Sequence, residues 1–570
     1  MKRNTWLKLS AIALCTTSVF AQQTRPNSGT LLEPQRQIPT LPAPGGAPTV
    51  VVPPAPPAAA FNPAIRVTPT AFRIQGNTLF SEAELLPLVN EYVGKPTDME
   101  GLLKAAGAVR RYYRDRGYLL TEAYLPQQQF PAGSGPVTIQ VLEARVGKVD
   151  VKVEGEGISE SLAGRIVRNH LHTGDYISEY SLDKPILLLR DLAGFDATAS
   201  VTPGSAVGEA DITVIVKPYG PKFDGVIGVD NYGVRSAGEI RGYVGANVNN
   251  LLGWGDTLSV RAQTTERQDS NLYRIGYAVP INGYATKLGL SVVKTDYQLG
   301  KQFAPLGASG DATIYGISLT HPFIRSRANN VLGGITLERK DLHDDTTTPP
   351  SSADRTVDSV RLSLLGNFVD NLMLGSFNSY ALNLTAGKVD LDPTTRAIDQ
   401  GAAGLNTEGH FTKVNIEYLR TTYLSAKGRL SAALQAQIAS KNLTSAEKFA
   451  LGGPSGVRGY PVGEAVGDSG AIINLEYQHQ LGDFGTGVPL AASVFYDWGH
   501  IKYNENNPTG VAAANPNTEN LSSGGLGLTV GTFGKFLLTT QLAWRFDRAP
   551  AGGEPDRKPR VWVSLQKWLP

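Results

Sequence analysis

The 570-residue sequence predicts a multi-domain membrane protein: a 16-stranded antiparallel transmembrane β-barrel preceded by two α/β modules and an N-terminal Pro-rich linker. Three observations predict it. Beyond Pro221 the chain carries segments of roughly 10 to 13 residues with period-two alternation, which suit a tilted span of the hydrocarbon layer, whereas soluble strands are nearer five or six. No stretch after the first 21 residues offers 18 or more apolar residues in a row, so a membrane-embedded chain must cross as a closed barrel, because lipid cannot satisfy an open sheet edge. Residues 66–218 hold one order of elements twice.

Each segment follows from its residues. Lys2, Arg3 and Lys8 precede an apolar run over 9–20, and Val19 with Ala21 fits small-residue cleavage before Gln22, so 1–21 reads as a signal peptide. The single cysteine, Cys15, lies in that leader behind Leu14, which disfavours a lipoprotein and leaves the mature chain without disulfides or a Cys-based metal site. Residues 22–65 are rich in Pro and Ala and read as an extended linker, interrupted by an island at 28–37 able to form one or two helical turns around Pro34. In the first module, 66–144, residues 72–78 form a strand, Ser81 opens a helix with Glu84 three residues on, 99–116 forms a longer helix, and strands follow at 118–126 and 137–143. The second module, 145–218, repeats this with a strand at 146–153, helices at 158–170 and 178–193, and strands at 197–202 and 210–217.

From 219 to 570 the strands fall at 222–232, 238–248, 255–265, 270–279, 285–297, 311–321, 330–341, 357–368, 376–387, 411–421, 428–440, 469–481, 489–500, 524–533, 536–547 and 559–568. Their faces alternate: in the eleventh, Leu430, Ala432, Leu434, Ala436 and Ile438 oppose Arg429, Ser431, Gln435 and Gln437. Apolar outside and polar inside describes a barrel with a wet lumen. Long polar connections near 298–310, 342–356, 388–410, 441–468, 501–523 and 548–558 all follow odd-numbered strands. With the modules in the periplasm, those loops are extracellular.

The connection 441–468 contains Val457, Arg458, Gly459 and Tyr460, and two strands later come Phe495, Tyr496 and Asp497. The period of two places Asp497 and Phe495 on one face of the thirteenth strand and the lipid-suited Val494 and Tyr496 on the other. The element order of the modules, with Ile74-Gln75-Gly76-Asn77-Thr78 in the first, resembles a pair of POTRA domains. The Val457-Arg458-Gly459-Tyr460 run resembles the signature on the sixth extracellular loop of BamA-type barrels, and Phe495-Tyr496-Asp497 resembles the same superfamily's lumenal motif. Two POTRA modules and 16 strands narrow the resemblance to the two-partner secretion outer-membrane transporters (the TpsB family, FhaC/ShlB-like haemolysin secretion and activation proteins).

That resemblance implies outer-membrane translocation of a large secreted exoprotein, an adhesin, haemolysin or related toxin, from periplasm to cell surface. The client would add as a strand to a POTRA sheet edge, at 118–126 or 197–202, and thread the barrel. It further implies that Asp497 pairs with Arg458, that the island at 28–37 plugs the barrel, and that the protein works as a monomer in outer-membrane lipid without ATP. The family's barrels usually end on an aromatic residue; here Trp568 precedes Leu569-Pro570. The alternative is a BamA-type insertase assembling other outer-membrane proteins, but such proteins usually carry three or five modules; a simple porin would need none.

Other chemistries find little support. A formal charge of +2 argues against nucleic acid. Gly467-Asp468-Ser469-Gly470 spells a protease nucleophile motif but falls at the end of a long polar loop, and His170 with His172 have a poor metal spacing. No Walker loop or dinucleotide fingerprint occurs, so the sequence predicts no enzyme, no cofactor and no metal.

Overall fold

A computed structural model describes all residues except 1–25, 32–49, 52–65, 131–132, 402–403, 486, 509–513 and 552–553. The proposed signal peptide and most of the linker and the 28–37 island lie outside the described residues.

The first module pairs strand Arg66–Gln75 in parallel with Ser134–Leu142, and that strand antiparallel with Glu122–Tyr124, which forms the sheet edge. Strand 118–126 of the sequence reading is thus only three residues long. Helix Met99–Arg114 starts at Asp98, whose side chain accepts from the Gly101 N–H at 2.8 Å. The helix buries Leu102, Ala105, Ala106, Val109 and Tyr113, one stripe at helical spacing, in a core shared with Phe72, Ile74, Val137 and Ile139. The helix opening after Ser81 closes the capping box with Glu84 yet lasts only for Glu82–Leu85, because Pro87 follows and the chain tightens into a 3₁₀ turn.

The second module repeats the order: strand Arg145–Val153, helices Glu160–Arg168 and Glu179–Arg190, strands Phe195–Pro203 and Glu209–Pro218. The edge expected free at 197–202 is partly covered: Val50–Val51 runs parallel to it, in register with Ala199 and Ser200. This module is pinned to the barrel. Arg325 donates to both carboxylate oxygens of Asp191 at 2.7 and 2.8 Å, Arg327 pairs with Asp183 and with Glu179 at 2.6 Å, and the Ser159 N–H donates to Gly253 O at 2.8 Å. His170 packs on Tyr284 at 5.8 Å between ring centres, and His172 pairs with Asp175 at 3.1 Å.

Sixteen antiparallel strands close the barrel. The first, Phe223–Asp230, meets the last, Arg560–Leu569, through six register pairs from Ser564 opposite Asp230 to Leu569 opposite Gly225. Lipid-facing positions follow the alternation: Leu430 and Ile438 are exposed on the outer wall of the eleventh strand, Gly428–Ala439, and Val494 and Tyr496 on that of the thirteenth, Pro489–Lys502. Two expected loops need correction. Residues 342–356 are not a loop, because the seventh and eighth strands, Asn329–Thr347 and Pro350–Asp370, continue as a ladder up to Thr347 opposite Pro350. Above the hydrocarbon both faces are wet, so polar residues carry the ladder on without an apolar stripe to mark it. The connection 388–410 likewise begins with strand, Ser376–Leu391, then a short helix, Pro393–Asp399, capped by Asp392. The third to sixth strands are Thr257–Thr265, Ser270–Pro280, Lys287–Gln298 and Ser309–Arg325; the twelfth and fourteenth are Ser469–Asp483 and Thr518–Thr532.

Candidate functional site

The connection 441–468 folds into the lumen on a stem of two short strands, Phe449–Leu451 and Ala465–Gly467. Gly452 and Gly453, at φ 87° and 85°, turn the chain inward with a backbone that other residues rarely adopt. At the tip, Gly459 lies so close to the wall that a Cβ there would stand 2.7 Å from Ser523 Cβ and 2.8 Å from Arg545 N. Only glycine lets the loop touch the barrel here.

That contact brings the motif residues together. Arg458 donates from Nη2 to Asp497 Oδ1 at 2.7 Å and from Nε to both Asp497 oxygens at 3.1 and 3.0 Å, while its backbone N–H donates to Oδ2 at 3.0 Å. Its Nη1 reaches Glu476 at 2.7 Å, and its guanidinium lies over the Phe495 ring, 3.4 Å from the centre. Asp497 is fully buried and accepts further from Asn474 at 2.8 Å and Ser523 at 3.0 Å. The Trp562 indole donates to Arg458 O at 2.8 Å, Gly459 N–H donates to Ser523 Oγ at 3.0 Å, and the buried Tyr460 donates to Arg548 O at 3.1 Å. Val457 packs with Leu451, Ile472 and Ile501.

A guanidinium taken out of water is costly unless carboxylates meet it in its plane, and here two do. The arrangement ties the tip of the loop to the barrel wall from inside the lumen. At the loop's base, Lys448 pairs with Asp468, and Lys413 meets Glu447 at 2.8 Å. Beside that base sits the turn Asn27–Leu31: Ser28 is buried and donates from its N–H and hydroxyl to Asp344 at 2.8 and 3.0 Å, and Tyr297 donates to the same carboxylate at 2.6 Å. The sequence reading missed Glu476, Asn474, Ser523 and Trp562. Ser523 fell in the expected connection 501–523, whereas the strand there begins at Thr518, and parity alone did not mark Asn474, Glu476 and Trp562 from other lumen-facing residues.

A closed barrel with a loop locked inside it, carried on periplasmic α/β modules, defines an outer-membrane transporter of the POTRA-barrel class. A family model described as haemolysin secretion/activation protein ShlB/FhaC/HecB matches residues 208–530, and a POTRA domain model of ShlB type matches 67–144. The chain belongs to that family of two-partner secretion transporters. The heme/hemopexin transporter protein HuxB of Haemophilus influenzae (strain 86-028NP) is 28% identical over 484 residues, covering 85% of this chain and 84% of that protein. The outer membrane transporter CdiB of Dickeya dadantii (strain 3937) is 22% identical over 481 residues, covering 81% and 79%. The solved structure of CdiB from Escherichia coli superposes with a TM-score of 0.67 at 19% identity, covering 91% of this chain and 93% of that one.

Proposed function

We propose that this transporter captures its secreted partner on the sheet edges of the two modules and threads it through the barrel, with the Arg458–Asp497 pair holding the lumenal loop in the resting state. The observation that carries the reading is the lumen itself, occupied by a loop fixed through a buried ion pair and by the anchored turn at Ser28. The edge strand Glu122–Tyr124 is open to main-chain pairing, which gives affinity without a long sequence match. At the second edge a client strand would first displace Val50–Val51. The partner is a large exoprotein, an adhesin, haemolysin or related toxin. Similarity to HuxB admits a heme- or hemopexin-binding one.

The protein acts as a monomer in lipid, without ATP, cofactor or catalysis. In the protease-like run, Ser469 donates to Glu505 at 2.9 Å and Asp468 is paired with Lys448. The test is deletion of 66–218 in cells that also produce the secreted partner. A heat-modifiable barrel that no longer exports the partner is the expected result; undiminished export contradicts capture by the modules.

A further inference from the structure

One stretch of the lumen wall holds cations that the lock does not use. On the third and fourth strands Arg261 and Arg274 are register partners, directly opposite each other. Their flanking residues Val260, Tyr273 and Ile275 are exposed on the lipid side, so both arginines point inward. Like charges facing each other across a ladder are destabilising, and each good carboxylate partner is missing: no ion pair or hydrogen bond involves either guanidinium among the described residues, and Arg261 Nε is buried without a partner. The nearest support is the Tyr243 ring, 5.1 Å from the Arg261 guanidinium. Neighbouring wall arginines differ. Arg241 is gripped by Asp230 at 2.8 and 3.0 Å, and Arg361 by Glu338 at 2.5 Å.

The wall just below this pair is smooth. Two residues nearer the periplasm the lumen face carries Ser259, Gly276, Ser291 and Gly316, opposite one another across four strands. The third strand begins there at Thr257, beside the turn whose Gly253 carbonyl receives the Ser159 N–H of the second module. A chain entering from that module therefore crosses a band of side chains too small to obstruct it before it reaches the two guanidiniums.

We infer that Arg261 and Arg274 form a contact station for the translocating client, receiving carboxylate and main-chain carbonyl oxygens of an extended polypeptide. This rests on the transport reading above. A guanidinium presents a planar fork of donors that serves carboxylates and carbonyls in turn, so a passing chain is held briefly at each step and released to the next. Acidic segments bind best, and basic segments are disfavoured by the like-charge pair.

The test uses the full chain in planar bilayers and needs no client. Under a potassium chloride gradient, open events of the unaltered protein have a chloride-favouring reversal potential, and Arg261→Gln with Arg274→Gln shifts it toward potassium. Decaglutamate added from the periplasmic side blocks the unaltered channel, at least tenfold more weakly after the double change, and decalysine does not block. Arg274→Gln alone gives an intermediate result if the double variant assembles poorly. A reversal potential unmoved by these changes removes the pair from the aqueous path and overturns the inference. So does decaglutamate block of equal strength in the variant, or block by decalysine as strong as by decaglutamate. Any of those failures leaves export in the module-deletion experiment as it was, so the two readings fail separately.

Discussion

The two sides of the lumen treat charge in opposite ways. Against the wall of strands twelve and thirteen, the loop residue Arg458 is met by Asp497 and Glu476 and capped by Phe495, and it is buried. On strands three and four, Arg261 and Arg274 face each other half-buried, with no ion pair to either guanidinium among the described residues. Burial forces matching, because an uncompensated charge away from water costs several kcal/mol. Partial burial beside the lumen lets a cation stand without an ion-pair partner, and such a cation stays free to receive a passing chain. One wall holds a structure in place; the other is left available.

The contrast breaks most visibly at Arg458. Arg458→Ala strands Asp497 and Glu476 without their cation, a change of the kind that costs about 3–5 kcal/mol in buried pairs. Export into the medium should fall at least tenfold while the barrel remains heat-modifiable in gels. Arg458→Lys keeps the charge but loses the fork and should fall between, since a lysine cannot make the parallel bonds. Next comes the anchored turn. Asp344→Ala removes the acceptor of Ser28 and Tyr297, and single-channel recordings should show open events several-fold more frequent; an unchanged frequency means that the turn does not depend on Asp344.

The same rule of matched charge applies outside the membrane, in the first module. Burial alone would push the Glu143 carboxyl up, but donors from Thr78, the Leu79 N–H and Tyr113 outweigh it and hold its pKa below the ordinary 4.5. A carboxyl depressed on folding contributes stability above its unfolded pKa and loses it as pH falls through the folded value. Limited proteolysis of the first module should therefore quicken below about pH 4.5, and Glu143→Gln should flatten that dependence. The smallest effect belongs to Glu476→Gln, which leaves the Asp497 fork intact and weakens one hydrogen bond, worth about 1 kcal/mol. Export should drop by a few-fold at most; a loss equal to that of Arg458→Ala would make Glu476 the principal partner.

Much of this was readable from the residues, and the unread part has physical causes. Lipid writes a strict apolar stripe, so the spans and the inward direction of Asp497 follow from period two. Where lipid ends the stripe ends, and the ladder over Asp344, Asp345 and Thr346 looked like loop. Register across strands is not encoded in one strand's pattern, so Arg261 opposite Arg274 was invisible although each was on a lumen face. Short main-chain pairings such as Val50–Val51 on Ala199 and Ser200 leave no side-chain signature.

The central claim is that Arg458 and Asp497 act as one unit, and a double-mutant cycle on export tests it most directly. Arg458→Ala, Asp497→Ala and the combination are compared for initial rate of partner release, with barrel assembly checked for each. The account predicts a double variant little worse than either single one, because the second change removes a partner already lost. Defects that add in full would contradict it, as would export that survives both single changes.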